Sequence, residues 1–242
     1  MTAVPSPRAY DFFNRPDGSV LTYVAGAEVS MRASGALWLE QDGALVLADV
    51  HFEKGSSYAA RGQLLPPYDT REALRRIALE VAALQPRAVV MLGDAFHDCE
   101  ASDRICREDA EALTAIVAGR ALVWVVGNHD PLPPRALPGE PAEEVAVGGL
   151  VLRHEPTFGP AMGEAAGHLH PCARISAGGR SVRRRCFVTD GDRLVLPAFG
   201  AYAGGLSITD RAFASLFHRP PLVVALGERR AHAVGFGSVV GD

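Results

Sequence analysis

Five short pieces of this chain carry side chains that bind divalent metal ions. They are Asp49-Val50-His51, Gly93-Asp94, Gly127-Asn128-His129-Asp130, His154 and Gly167-His168-Leu169-His170. Carboxylate, imidazole and amide are hard to borderline donors with no thiolate among them. They suit Mn²⁺, Fe²⁺ or Zn²⁺ better than copper or an iron–sulfur cluster. There are enough donors for two adjacent ions, and a two-ion centre activates water for in-line attack on phosphate esters. Taken singly, each piece has an ordinary explanation: Gly-Asp and Asn-His-Asp-Pro are turn sequences, and a lone histidine often packs beside a strand. Their joint occurrence in this order points to a dinuclear centre.

Such donors need elements that bring them together. Ala44–Ala48, Ala88–Leu92 and Ala121–Val126 are continuous apolar runs, as expected of strands buried on both faces. Asp49, Asp94 and Asn128 follow them directly or through one glycine. Asp69 or Thr70 can cap a helix running to Leu84, with Leu74, Ile77, Ala78 and Val81 at helical spacing, and a second helix is expected from about Ser102 to Ala118. Strands alternating with helices imply right-handed βαβ units and a largely parallel sheet, whose strand carboxyl ends gather ligands. The two-residue period of a strand end would turn Asp49 and His51 to one face, and His168 and His170 likewise.

Beyond Pro131 the character changes. Prolines 131, 133, 134, 138 and 141 predict an irregular connection. Strands are expected near 145–147, 150–153, 182–189, 194–196, 222–226 and 231–236, with one short late helix at Ile208–Phe217. No repeat or linker interrupts the 242 residues, so one domain is expected over 1–242, with its core at about 19–237.

Composition excludes several classes. A hydrophobic content of 48% predicts a sizeable core and argues against disorder. A net charge of −4 argues against a strongly basic nucleic-acid coat, though a local basic face remains open. No apolar run approaches the roughly 18 residues of a membrane span, and the opening residues, including Pro5 and Arg8, lack a signal-peptide core. A soluble, cytoplasmic protein is expected. Four cysteines in no C-x-x-C pattern read as reduced, packed thiols.

The order and spacing of the metal-type pieces resemble the calcineurin-like metallophosphoesterase superfamily. The resemblance implies an αββα sandwich, two β-sheets flanked by helices. It also implies that Asp49, His51 and His170 hold one ion and Asn128, His154 and His168 the other, with Asp94 bridging. His129 would serve as general acid toward the departing oxygen, oriented by Asp130. By resemblance the ions are manganese, with iron or zinc as alternatives.

Longer runs are similar to the bacterial ligase-associated DNA-damage-response endonucleases. These include Leu47–Gly55, Tyr58, Arg61–Thr70, Leu92–Asp98, His154–Pro156 and Leu196–Leu206. That similarity implies a phosphodiesterase acting on DNA in repair, functionally associated with a DNA ligase, an exonuclease and a helicase. The 52–70 segment starts at the rim of the site and is long enough to be a functional loop. Its Lys54, the chain's only lysine, and Arg61 are candidate phosphate contacts. So are Arg183 and Arg185, which share one face of an expected strand. A small-molecule or cyclic-nucleotide phosphodiesterase would use the same centre with a different rim. A non-catalytic scaffold of the same fold would have no need of seven convergent ligands.

Overall fold

In the computed structural model, which describes residues 11–63, 65–177 and 179–241, the expected buried strands lie at the centre of the molecule. Pro5, Arg8 and Leu64 of the runs above lie outside the described residues. The first sheet begins as an antiparallel meander of β1 (Phe12–Asn14), β2 (Val20–Val24), β3 (Ala27–Met31), β4 (Leu37–Leu39) and β5 (Ala44–Ala48). It continues in parallel through β6 (Ala88–Leu92), β7 (Ala121–Val125) and β8 (Glu140–Ala142). The sheet is therefore parallel only in its second half, where helices make the crossovers.

The second sheet contains β9 (Glu144–Val147), β10 (Leu150–Arg153), β11 (Glu164–Ala166), β12 (Cys172–Ala177), β13 (Arg180–Thr189), β14 (Arg193–Val195), β15 (Leu222–Leu226), β16 (Ala231–Gly235) and β17 (Val239–Val240). Strand β13 is long enough to serve twice. Its first half forms a hairpin with β12, and its second half pairs with β14 and β15.

Alternation along β5 and β6 explains the layering. Val46, Ala48, Val90 and Leu92 face Leu150, Leu152, Phe187 and Leu196 of the second sheet. Leu45, Leu47, Val89 and Met91 face the opposite way, onto Leu74, Ile77 and Val81 of α2 (Asp69–Leu84) and Leu113 and Val117 of α4 (Arg107–Val117). Two sheets packed face to face and flanked by helices form the metallophosphoesterase-like sandwich that the resemblance implied. No helix of the described residues is long and apolar enough to cross a membrane.

Four local expectations need correction. The helix expected from Ser102 to Ala118 is broken into α3 (Ala101–Arg104) and α4, because Cys106 is extended and Arg104 reaches back to Asp98 at 2.6 Å. The proline-rich stretch hides β8, a parallel edge strand, where Pro141 opposite Trp124 is tolerated for want of a further neighbour. At Ile208–Phe217 only a 3-10 turn forms, Arg211–Phe213, and Ile208, Phe213 and Leu216 cover the outer face of the second sheet.

The fourth correction concerns the 52–70 segment, which is not all loop: α1 (Lys54–Ala60) occupies its first third. Asp69, expected as a cap for α2, instead accepts the backbone N–H of Gly55 at 3.0 Å, so it secures α1.

Candidate metal centre

Each ligand candidate lies just beyond a strand, where the backbone turns sharply. Asp49, His51, Asp94, His168 and His170 have φ of 51°, 50°, 40°, 67° and 46°, in the left-handed region that side chains rarely adopt. Five of the seven candidates are thus held in costly conformations. Such strain persists where the surrounding structure over-determines it, and it clusters at functional sites. It also corrects the expected origin of the convergence. Strand β5 ends at Ala48, so Asp49 and His51 share a side through two left-handed residues and not through a pleat.

The cradle around these residues is tight. A Cβ added at Gly93 would lie 2.0 Å from His154 Nδ1, and one at Gly167 would lie 2.5 Å from Asp49 Oδ2. Behind the site, Phe199 and Gly200 donate backbone N–H bonds to the carbonyls of Ala48 and Asp49 at 2.7 and 3.2 Å.

The donors form two sets, Asp49 with His51 and His170, and Asp94 with His154 and His168. In the first, the Nε2 atoms of His51 and His170 are 3.3 Å apart, and Asp49 Oδ1 is 3.5 Å from His170 Nε2. In the second, His154 Nε2 lies 2.8 Å from Asn128 Oδ1, 3.1 Å from His168 Nδ1 and 3.5 Å from Asp94 Oδ1. The sets touch where Asp49 Oδ1 approaches His154 Nδ1 at 3.5 Å.

The residues present fit divalent ions. Asp49 Oδ1, fully buried, has no hydrogen-bond partner, and neither has His154 Nδ1. An unpaired buried carboxylate oxygen is expensive unless a cation satisfies it. Burial, reinforced by the His170 and His97 imidazoles, pushes His51 down to about 2, which keeps it in the neutral form that binds metal. Burial also lowers His154, against the pull of Asp49 and Asp94.

His129 is well exposed beside the second set. Its backbone N–H donates to Asp94 Oδ1 at 2.9 Å, and its Nδ1 donates to the carbonyl of His97 at 2.9 Å. Nε2 is left facing Asp94 Oδ2 at 3.9 Å. Asp130, expected to orient this imidazole, instead accepts the backbone N–H groups of Phe96 at 2.9 Å and Gly127 at 3.2 Å. It ties the loop after β6 to the loop after β7. Burial, and secondarily Asp94, raise it to about 7.

Sequence reasoning missed His97. Its ring stacks on His129 with centroids 5.5 Å apart and meets His51 edge-on at 5.4 Å, with Tyr58 of α1 at 5.8 Å. Burial, then the charge of Lys54, lowers it to about 4. Six of the chain's eight histidines therefore gather here. The available signal was position, since His97 follows Asp94 by three residues on the same loop.

The four candidate phosphate contacts separate. Lys54 Nζ donates to the Tyr202 carbonyl at 3.0 Å, and Tyr202 Oη donates back to the Pro66 carbonyl at 3.0 Å, which latches α1 and its loop to the segment after β14. Arg61 is exposed just past α1. Arg183 donates to the Gly205 carbonyl at 2.7 Å. Arg185, half-buried, donates to the carbonyls of Ala198 and Gly200, each at 2.8 Å.

A profile of the calcineurin-like phosphoesterase family matches residues 44–172, more than half of the chain, which spans all seven ligand candidates. Among solved structures, the Pseudomonas putida nuclease MPE is 25% identical with a TM-score of 0.70, over 89% of this chain and 100% of that one. The phosphoesterase Yfce from E. coli is 15% identical with a TM-score of 0.38, over 80% of this chain and 98% of that one. No curated protein matches the sequence.

Proposed function

The chain belongs to the calcineurin-like phosphoesterase family and is a metal-dependent phosphoesterase, and on that premise we propose that it is a phosphodiesterase that cleaves DNA in repair. The whole chain works as one domain. Asp49, His51 and His170 would hold one ion and Asn128, His154 and His168 the other, with Asp94 as the carboxylate they would share. Manganese is the metal of choice, by resemblance. When bound, such ions supply a lowered pKa for the attacking water and charge neutralisation on the phosphoryl oxygens.

The remaining chemistry falls to the protein. With Nδ1 committed to the His97 carbonyl, His129 presents Nε2 to the departing oxygen and passes it a proton. The loops bearing Asp94 and Asn128 keep their spacing through Asp130, so His129 and the ligands move as one unit. The observation that carries the reading is the contact of two ligand sets beside an exposed imidazole whose other nitrogen is fixed. Similarity to a nuclease along 89% of the chain supports a nucleic acid as the polymer.

One observation favours a small phosphodiester instead. Lys54, Arg183 and Arg185 are engaged with backbone carbonyls, which leaves Arg61, of the four candidate contacts, as the basic side chain standing in solvent. A Mn²⁺-dependent cleavage assay on supercoiled plasmid, single-stranded DNA and methyl 4-nitrophenyl phosphate separates the two. DNA cleavage at low salt is expected. Hydrolysis of the small diester with no DNA form cleaved would replace the endonuclease by a small-molecule phosphodiesterase with the same centre.

A further inference from the structure

A groove of about 380 Å³ opens beside His168, outside the ligand shell. Glu155, Phe158 and Leu169 line one part of it, and Arg211, Ser215 and Leu216 another. Phe158 is 95% exposed, the most exposed large hydrophobic side chain among the described residues. A lone exposed aromatic residue on a loose loop would mean little, but this loop is fastened from beneath.

The residue before it, Thr157, donates its backbone N–H to both oxygens of Glu164 at 3.2 Å and its hydroxyl to Glu164 Oε2 at 2.7 Å. Arg193, which is fully buried, lies 2.8 Å from Glu164 Oε1 and donates to the Thr157 carbonyl at 2.9 Å. The same guanidinium donates to the Leu216 carbonyl at 3.1 Å, on the opposite wall. A buried, charge-assisted network thus sets the width of the groove and presents the Phe158 ring at its edge.

We propose that this groove receives the nucleoside attached to the scissile phosphate, with the base stacked on Phe158 and the next phosphate met by Arg211. The inference rests on the phosphodiesterase reading above and adds to it the group recognised beside the phosphate. A nucleoside fits the chemistry. Bases stack on aromatic rings whatever their identity, whereas an aliphatic or second anionic group would gain little from the ring. Glu155, 4.0 Å from His168 Nε2, disfavours a second phosphate at that point, so an uncharged sugar and base belong next to the metal centre. Arg211 is exposed and has no ion pair among the described residues, which leaves its charge for the following phosphate.

Two diesters with the same leaving group test this: thymidine 5′-(4-nitrophenyl phosphate) and methyl 4-nitrophenyl phosphate, with the Mn²⁺-loaded full chain. Wild type should prefer the nucleoside ester in kcat/KM. Phe158→Ala should lower that preference about tenfold. Phe158→Trp should keep it, and Phe158→Leu should lose it as Ala does. Because the ring is almost wholly exposed, these variants should fold, which circular dichroism and metal content check.

An equal loss on both esters, or a preference unchanged by Phe158→Ala, would overturn the groove and leave the phosphodiesterase reading intact. Wild type hydrolysing neither ester would overturn the groove, and cutting no DNA form either would overturn the phosphodiesterase reading as well. A Phe158-dependent preference in an enzyme that cuts no DNA would keep the groove and identify a small nucleotide as substrate.

Discussion

The metal centre and the basic rim around it are built by opposite means. At the centre the backbone places the ligands. Left-handed torsions at Asp49, His51, Asp94, His168 and His170 leave short side chains no choice of direction. At the rim, long side chains carry the charge, and the backbone beneath them says little about where it ends. Lys54, Arg183 and Arg185 spend theirs on carbonyls that hold two segments together, whereas Arg61 stands in solvent. A ligand set is therefore read from residue type and position, while a cation's role depends on which acceptor lies within its reach.

The sharpest way to break this contrast is at the centre. Asp94→Asn should abolish turnover and reduce metal content, because one neutral oxygen donor replaces the carboxylate proposed to bridge two dications. Elemental analysis should find about two ions per chain in the wild type and fewer in the variant. An active variant that retains two ions would remove Asp94 from the bridge.

A smaller effect is expected beside the ligands. His129→Ala should keep wild-type metal content and lower turnover by about 10²–10⁴-fold, less for good leaving groups such as aryl phosphates. His97→Ala should cost less, since it keeps the carbonyl that fixes His129 Nδ1 and removes only the stacked ring. The reverse order of losses would make His97 the proton donor.

Most of the centre was legible because its pieces are local. A strand, a glycine and a donor are readable within a few residues, and three such strand ends in a parallel sheet must converge. What was not legible depends on distant partners. The backbone at Asp49 is held by Phe199 and Gly200, about 150 residues later, and that at His51 by the carbonyl of Asp94. Helix α1, with one glycine and two serines in seven residues, has little helix propensity of its own and relies on Asp69. Strand β8 contains a proline that only an edge position allows. His97 sits on a loop with no periodic pattern, so only the fold reveals its neighbours.

The smallest effect separates the two kinds of arginine. Arg185→Ala leaves the carbonyls of Ala198 and Gly200 without their donor, in the segment that braces Ala48 and Asp49. Losing hydrogen bonds to a charged group there should cost about 1.5–3 kcal/mol. For a chain of this size that lowers Tm by about 5 °C. Activity on DNA and on a small diester should fall together, because the damage reaches the ligand loop. Arg61→Ala removes an exposed charge, so Tm and small-diester hydrolysis should stay near wild type. DNA cleavage at low salt should weaken a few-fold, with a flatter dependence on ionic strength, as expected when one phosphate contact is lost. Thermal melts and salt titrations on both variants give the comparison. If Arg185→Ala left Tm unchanged but weakened DNA cleavage alone, Arg185 would belong to the DNA-facing rim and not to the brace.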